Sequence, residues 1–68
     1  MKPLKITTPY ITLQQLLKIE DIISSGGEAK FFLSSNTVLV NGEEENRRGR
    51  KLYPNDVIKV LNQEFIIE

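Results

Sequence analysis

The chain has 68 residues, with nine Lys and Arg balancing nine Asp and Glu, and it contains neither Cys nor His. A chain of this length holds only one small core, so we expect a single domain over residues 1–68. Without Cys and His there is no disulfide framework, no thiolate or imidazole metal site, and no side chain that ordinarily titrates near neutral pH. We therefore expect no enzyme activity and no catalytic residue, metal or cofactor.

No run of apolar residues approaches the roughly 20 that are needed to span a bilayer. The start of the chain, MKPLKITTPY, lacks the apolar stretch of a signal peptide. These features predict a cytoplasmic protein without a membrane partner, and we expect it to be a monomer.

The first third of the chain predicts a short strand and a helix. Residues 4–8, LKITT, are rich in β-prone residues and are bounded by Pro9. Thr12 is a candidate N-cap for the segment 13–23, LQQLLKIEDII, because its hydroxyl can accept from the free N–H groups of the first turn. Leu and Ile recur there every three or four positions, which is the apolar stripe of a helix, and we expect a kink near Glu20–Asp21.

A second helix is predicted after SSGG, over EAKFFLSS. Its buried face would contain Ala29, Phe32 and Leu33, which share one side at helical spacing. Asn36 follows, a residue that tolerates the left-handed conformation that a helix C-terminus often needs.

The rest of the chain alternates between β-prone segments and turn residues. Val38 and Val40 alternate in TVLVNGEEE, and Asn41–Gly42 is a strong hairpin signal because a type I′ turn needs positive φ at both central residues. A charged loop at 46–51 leads to YPND, a candidate β-turn. VIKVL and EFIIE predict two more strands joined at Asn62–Gln63. The element order predicts an α+β fold, with two main helices packed on a small antiparallel sheet.

The segments SSGGEAKFFLSSNTVLVNGE and LYPNDVIKV carry a known pattern. Together with the Leu-rich first helix, they resemble the S4 RNA-binding domain, which has a Ser-Arg-x-x-Ala helix start, a Val-x-Val-Asn-Gly turn and a later Pro-Gly-Asp. The whole chain is similar to the small stand-alone bacterial S4 proteins of the YaaA type. The resemblance implies an S4-like (alpha-L) fold with its motif core at 12–60, and an RNA partner. The matching positions are Leu13, Leu17, Ser25, Ala29, Val38, Val40, Asn41, Gly42, Pro54 and Asp56.

The chain departs from the family pattern at the second helix. Gly26 stands where the family has Arg, Gly27 follows it, and Phe31 occupies a position that is often cationic in larger members. Lys30 is the one cation left on this helix. The cations have moved instead to the charged loop, where they are Arg47, Arg48, Arg50 and Lys51.

That charged loop is the first candidate site. Arg binds phosphate through two parallel hydrogen bonds, and Gly49 lets the backbone approach a ligand closely. We expect Glu43–Glu45 to shape the basic patch rather than stabilise the fold, because surface ion pairs contribute on the order of 0–1 kcal/mol. A merely solvated loop is the alternative. Our interpretation is that the phosphate-contacting residues are Arg47, Arg48, Arg50 and Lys51.

The start of the second helix is the second candidate site. A helix N-terminus has unpaired N–H groups and the positive end of the dipole, so it can hold a phosphate without a cationic side chain. The alternative is a helix–helix corner that simply needs glycine. The candidate residues are Ser25, Gly26 and Gly27, with Lys30 one turn further on, and we expect Asn41 to flank the same groove.

Two aromatic residues leave a choice between packing and binding. Phe31 points nearly opposite the centre of the predicted buried face of its helix, and Tyr53 adjoins the basic loop. For both residues we expect packing under another segment, and the alternative is stacking on an unpaired base.

These observations, with the resemblance, predict a non-catalytic RNA-binding protein that recognises structured RNA, either ribosomal RNA or a ribosome-assembly intermediate. Ribosomal or assembly proteins are further candidate partners. Four to five neutralised phosphates would give a salt dependence with a log–log slope of about −3 to −4. The alternative function is a protein–protein adaptor or assembly factor without RNA contact, which the zero net charge and the three consecutive acids favour.

Overall fold

Two helices and two small sheets make up the fold in the computed structural model, which describes residues 1–68. Neither helix has the length and apolar character needed to cross a membrane. The predicted α+β class with two main helices is confirmed. The elements in chain order are β1 Lys2–Leu4, β2 Ile11–Thr12, α1 Leu13–Ile19, α2 Gly26–Ser35, β3 Val38–Val40, β4 Glu43–Glu44, β5 Lys51–Leu52, β6 Val57–Val60 and β7 Gln63–Ile67.

The larger sheet has five strands in the order β1-β7-β6-β3-β4, and β2 pairs with β5 in a separate two-stranded sheet. β6 pairs antiparallel with β3 and β7, whereas β1 runs parallel to β7, with Lys2 opposite Phe65. A parallel pair needs a long connection between its strands, and most of the chain lies between these two. The sheet is therefore mixed: its antiparallel pairs were predicted, and the parallel pair was not.

The core lies between the five-stranded sheet and the two helices. Residues of β3, β6 and β7 alternate between buried and more exposed positions, as expected for strands that cover a core on one face. The buried residues of these strands are Val38, Val40, Ile58, Val60, Phe65 and Ile67, and those of the helices are Leu13, Leu16, Leu17, Ala29 and Leu33.

The two short N-terminal strands differ from the prediction of one strand at 4–8. β1 ends at Leu4, and β2 is a two-residue strand that the sequence did not predict. The position of β1 is set by its pairing with the distant β7, which local β-propensity does not report. Ile6 lies outside both strands but still packs, partly buried, against the core.

Helix α1 begins as predicted and ends earlier than predicted. Thr12 and Gln15 form a capping box: the Thr12 hydroxyl accepts the Gln15 N–H at 3.2 Å, and the Gln15 side chain accepts the Thr12 N–H at 2.7 Å. The helix stops at Ile19 instead of kinking and continuing, because Asp21 turns the chain with a φ of 60°. Ile23 is buried outside the helix, which explains why the apolar spacing continues past its end.

Helix α2 starts at Gly26, so the glycines form its first turn rather than a break before it. Asn36 tolerates the left-handed conformation but does not adopt it here, since its φ is −133° and its backbone is extended. Both the N–H and the side-chain amide of Asn36 donate to the Phe32 carbonyl, at 2.9 and 3.1 Å, which ends the helix without a left-handed residue. The predicted face is confirmed, with Ala29 and Leu33 buried and Phe32 partly buried.

Three tight turns connect the C-terminal strands. Asn41 and Gly42 have φ values of 53° and 85°, which confirms the predicted hairpin turn. In YPND the Asp56 N–H donates to the Tyr53 carbonyl at 3.0 Å, which confirms the predicted β-turn. The turn between β6 and β7 consists of Leu61–Asn62, one residue earlier than predicted, and both residues have positive φ.

Candidate nucleic-acid interface

The basic loop, Arg47–Lys51, lies against the start of α1. The first N–H groups of a helix have no intrahelical acceptor, and here the loop backbone supplies two. The Leu13 N–H donates to the Arg50 carbonyl and the Gln14 N–H donates to the Arg48 carbonyl, both at 2.9 Å. The loop backbone is therefore held in place by the helix rather than extended into solvent.

The end of the loop is held by a strand pair. Lys51 and Leu52 form β5, which pairs antiparallel with Thr12 and Ile11 of β2. Because Thr12 also caps α1, the loop, the two-stranded sheet and the start of α1 form one connected unit.

Glu45 anchors the basic loop from inside. It is the only buried charged residue of the fold, and its own N–H donates to the Val38 carbonyl at 2.8 Å. Its carboxylate accepts the backbone N–H of Arg47 at 3.0 Å, Nε and Nη2 of the same residue at 2.9 and 3.0 Å, and Nη1 of Arg50 at 2.8 Å. One carboxylate thus fixes two arginines of the loop.

This arrangement stabilises the ionised carboxylate. The hydrogen bond from the Arg47 side chain is the main reason that the pKa of Glu45 falls from 4.5 to about 2; burial opposes the shift, and the Arg47 N–H and Arg50 reinforce it. The same contact raises the pKa of Arg47. The expectation that the three acids only shape the patch is corrected for Glu45, whereas Glu43 and Glu44 are exposed.

Arg48 connects the loop to the start of α2. Its Nη1 atom lies 3.5 Å from the Gly26 carbonyl oxygen, at the outer limit of a hydrogen bond. Gln14 lies between the same segments, because a Cβ atom added to Gly26 would approach its Nε2 atom to 2.7 Å. The loop and the helix start, which the sequence presented as two sites, therefore adjoin.

Two backbone N–H groups at the start of α2 have no hydrogen-bond acceptor within the protein. Ser25 makes no side-chain capping bond, so the N–H groups of Gly26 and Gly27 have no acceptor in the helix or in the cap. Glu28 lies in the same turn and accepts hydrogen bonds from the N–H and the hydroxyl of Ser24. Its negative charge weakens this helix start as an anion site, so the basic loop is the stronger of the two.

The side chains of Lys30 and Asn41 form no hydrogen bond with the basic loop or with the start of α2. Lys30 is exposed on α2 and forms no ion pair. The Asn41 side chain donates to Asp56 Oδ1 at 3.0 Å and accepts the Val57 N–H at 2.9 Å. The Asn41 side chain thereby links the β3–β4 turn to the turn that ends at Asp56. Asn41 lies at the turn end of the β3–β4 hairpin, whereas Glu45 lies at its open end.

The two aromatic residues are exposed. Phe31 is 75% exposed, so the expectation that another segment covers it is wrong. Tyr53 is 48% exposed, and its ring packs against that of Tyr10, with centroids 5.7 Å apart. Tyr53 also lines a shallow pocket together with Arg47, Gly49, Arg50 and Lys51.

Sequence reasoning missed Tyr10 and Gln14 as residues near the basic loop, and it gave Glu45 the wrong role. Glu45 precedes its two arginine partners by two and five positions, a spacing that a turn can bring together, so its role had a local signal. Tyr10 and Gln14 make contacts with residues far along the chain, and nothing in their neighbourhood indicates them.

The capped Leu-rich first helix, the second helix with Ala29 on its buried face and the Asn41–Gly42 hairpin turn are the elements of the S4 class. A sequence profile described as "S4 domain" matches residues 4–68, and the chain belongs to this family. It is 59% identical over 58 residues to the "Probable ribosome maturation protein RlbA" of Bacillus subtilis (strain 168), an alignment that covers 85% of this chain and 82% of that protein. No solved structure matched the chain. The predicted resemblance to small S4 proteins is confirmed.

Proposed function

We propose that the chain is a non-catalytic RNA-binding protein that acts in ribosome maturation. Its ligand is structured ribosomal RNA, or an assembly intermediate that contains it. Membership of the S4 domain family supports the RNA ligand, and the name of the Bacillus subtilis relative supports the ribosomal context.

The observation that carries the proposal is the fixed array of cations on the basic loop. The α1 N–H groups hold the loop backbone, and Glu45 holds two of its side chains. Preorganised groups lose less conformational freedom on binding, so more of their interaction with phosphates appears as affinity.

The cations divide into two kinds. Arg47 and Arg50 use part of their guanidinium donors on Glu45 and present the rest outward. Arg48 and Lys51 contact no carboxylate, which leaves their full charge for RNA. In this proposal Arg48 and Lys51 contact phosphates, and Arg47 and Arg50 both bind and support the loop.

The zero net charge of the chain does not oppose this role. Two of the four cations of the basic loop contact the carboxylate of Glu45 and the other two contact no carboxylate, so this loop is positively charged although the whole chain is neutral. Because Glu45 offsets part of that charge, we expect about three neutralised phosphates. The log–log slope of affinity against salt would then be about −2 to −3, shallower than the sequence alone predicts.

The free N–H groups of Gly26 and Gly27 would add a neighbouring phosphate contact beside Arg48. Ser25 and Lys30 flank this helix start, and Asn41 would act on the shape of the neighbouring turns. The loop cations and the free N–H groups contact phosphates in this proposal, so the protein would recognise the shape of an RNA rather than its base sequence.

Crosslinking in cells, followed by sequencing of the RNA attached to the protein, tests the proposal. We expect ribosomal RNA to be enriched over its abundance in mock-crosslinked samples. Recovery of no RNA above background would contradict direct RNA binding.

A protein–protein adaptor is the second candidate function. It is favoured by β4, an edge strand of the five-stranded sheet with two exposed carboxylates, Glu43 and Glu44. An exposed edge can pair with a strand of another protein. This function predicts that ribosomal particles retain the protein when Arg48 is replaced, and lose it when Glu43 and Glu44 are replaced by Lys.

A further inference from the structure

The outer face of the two-stranded sheet carries a pair of tyrosines. Ile11 of β2 lies opposite Leu52 of β5, so the next opposed positions are Tyr10 and Tyr53. Ile11 and Leu52 are buried, and successive side chains of a strand point to opposite faces. The register therefore turns both tyrosine rings outward.

The two rings form an exposed pair that contributes little to the packing of the core. Their centroids are 5.7 Å apart and their planes are inclined by 48°. Tyr10 is 37% exposed and Tyr53 is 48% exposed, and neither phenolic hydroxyl forms a hydrogen bond within the protein. Rings that served packing would be covered, and hydroxyls that served as tethers would be paired.

The pair is held in position by its backbone. The Tyr53 N–H donates to Asp56 Oδ2 at 2.8 Å, and its carbonyl accepts the Asp56 N–H at 3.0 Å. The Tyr10 carbonyl accepts the Thr8 hydroxyl at 2.7 Å. The rings therefore leave a fixed backbone, as a binding surface requires.

Basic side chains of the loop lie beside both rings. Lys51 Nζ lies 5.0 Å from the centroid of the Tyr10 ring, within the range of a cation–π interaction. The pocket that Tyr53 lines is otherwise formed by Arg47, Gly49, Arg50 and Lys51. An aromatic ligand that also carries negative charge fits this surface better than an apolar peptide does.

We propose that Tyr10 and Tyr53 form a stacking platform for an unpaired nucleobase of RNA, whose flanking phosphates lie on the basic loop. This inference rests on the proposed RNA-binding function and names its ligand class: an RNA helix that carries a bulged or terminal unpaired nucleotide. Bases within a helix are already stacked on their neighbours, so only an unpaired base can reach a protein ring. Stacking tolerates any base, since every base has a π face.

Two RNA hairpins with the same stem test the proposal. One is fully paired, and the other carries a single bulged 2-aminopurine, whose fluorescence falls when it stacks. The proteins are the full chain, the variant Tyr10→Leu with Tyr53→Leu, and the variant Tyr53→Phe, which keeps the ring and loses only the hydroxyl. Far-UV circular dichroism and thermal unfolding identify any variant that does not fold.

We expect the unmodified chain to bind the bulged hairpin about 5- to 100-fold more tightly than the paired one, with quenching of the 2-aminopurine. The double leucine variant should lose this preference and the quenching. Tyr53→Phe should retain both.

Equal affinity of the unmodified chain for the two hairpins, without quenching, would overturn the platform and leave phosphate binding intact. If the double leucine variant then also failed to sediment with ribosomal particles, the tyrosines would belong to a protein contact. Binding of neither hairpin would overturn both this inference and the proposed function.

Discussion

The guanidinium of Arg47 lies across the buried carboxylate of Glu45, with Nε 2.9 Å from Oε2 and Nη2 3.0 Å from Oε1. The backbone N–H of Arg47 and the side chain of Arg50 complete the coordination of this carboxylate. Glu45 is therefore a structural centre of the basic loop, although it ends a run of acids that the sequence presents as surface charge. Changes at Glu45 should act on the fold of the loop, and changes at Arg48 and Lys51 on binding.

Replacement of Glu45 by Gln should destabilise the protein. Gln keeps the size of the side chain but removes the charge that two arginines contact, so we expect a loss of roughly 1–3 kcal/mol in the free energy of unfolding. Urea unfolding at neutral pH measures it. Glu44→Gln is the matched control because Glu44 is exposed, and we expect it to change stability by less than about 0.5 kcal/mol. Equal effects of the two replacements would contradict the structural role of Glu45.

The stability contributed by Glu45 should depend on pH in a defined window. Its pKa is lowered from 4.5 to about 2 in the folded protein, so the folded state favours the ionised form. The contribution is fully present above pH 4.5 and is lost as the pH falls from 4.5 towards 2. The difference in unfolding free energy between the unmodified chain and Glu45→Gln should therefore shrink on acidification. A difference that is constant across this window would rule out the lowered pKa.

The two glycines at the start of α2 should respond differently to alanine. A Cβ atom at Gly27 meets nothing closer than the Ser25 hydroxyl at 3.9 Å, so Gly27→Ala should stabilise the protein by roughly 0.5 kcal/mol through a less flexible unfolded chain. At Gly26 the same atom would come within 2.7 Å of Gln14 Nε2, and Gln14 must move. We expect a smaller gain, or none, for Gly26→Ala in thermal unfolding. A larger gain at Gly26 than at Gly27 would show that Gln14 does not pack there.

Leu61 has a strained backbone conformation, and a substitution can relieve this strain. It has a φ of 50° at the first central position of the β6–β7 turn and is 51% exposed, so little burial offsets the strain. Asn is favoured in such a turn, and Leu61→Asn should raise the free energy of unfolding by about 1 kcal/mol. The converse change, Asn62→Leu, should lower it by a similar amount. Urea unfolding of both variants checks the pair, and a destabilised Leu61→Asn would indicate that the leucine side chain makes a contribution its exposure hides.

Local signals in the sequence were sufficient for much of the fold. The Thr12 cap, the Asn41–Gly42 turn and the alternation at Val38 and Val40 each depend on a few neighbouring residues, and each was predicted correctly. The errors have two sources. β1 is placed by its pairing with the distant β7, whereas α1 ends at a local turn at Asp21 that the continuing apolar spacing conceals.

The candidate site was predictable in its cations but not in their arrangement. Composition placed four basic residues in one loop, and the resemblance implied an RNA partner. Neither the sequence nor the resemblance could show that Glu45 is buried beneath two of these basic residues, because its burial depends on how β4 packs against β3. Nor does the sequence show that Tyr10 lies opposite Tyr53, since that depends on the register between two strands that are far apart along the chain.

Binding of purified ribosomal RNA at a series of salt concentrations tests the central claim most directly. Arg48→Ala with Lys51→Ala removes the two loop cations that contact no carboxylate, and Lys5→Ala with Lys59→Ala is the matched control outside the loop. We predict that the loop variant binds roughly 10- to 100-fold more weakly at low salt and that its log–log slope is smaller in magnitude by about 2, while the control matches the unmodified chain. Equal weakening by both variants, or no weakening by either, would contradict a phosphate-binding role for the basic loop.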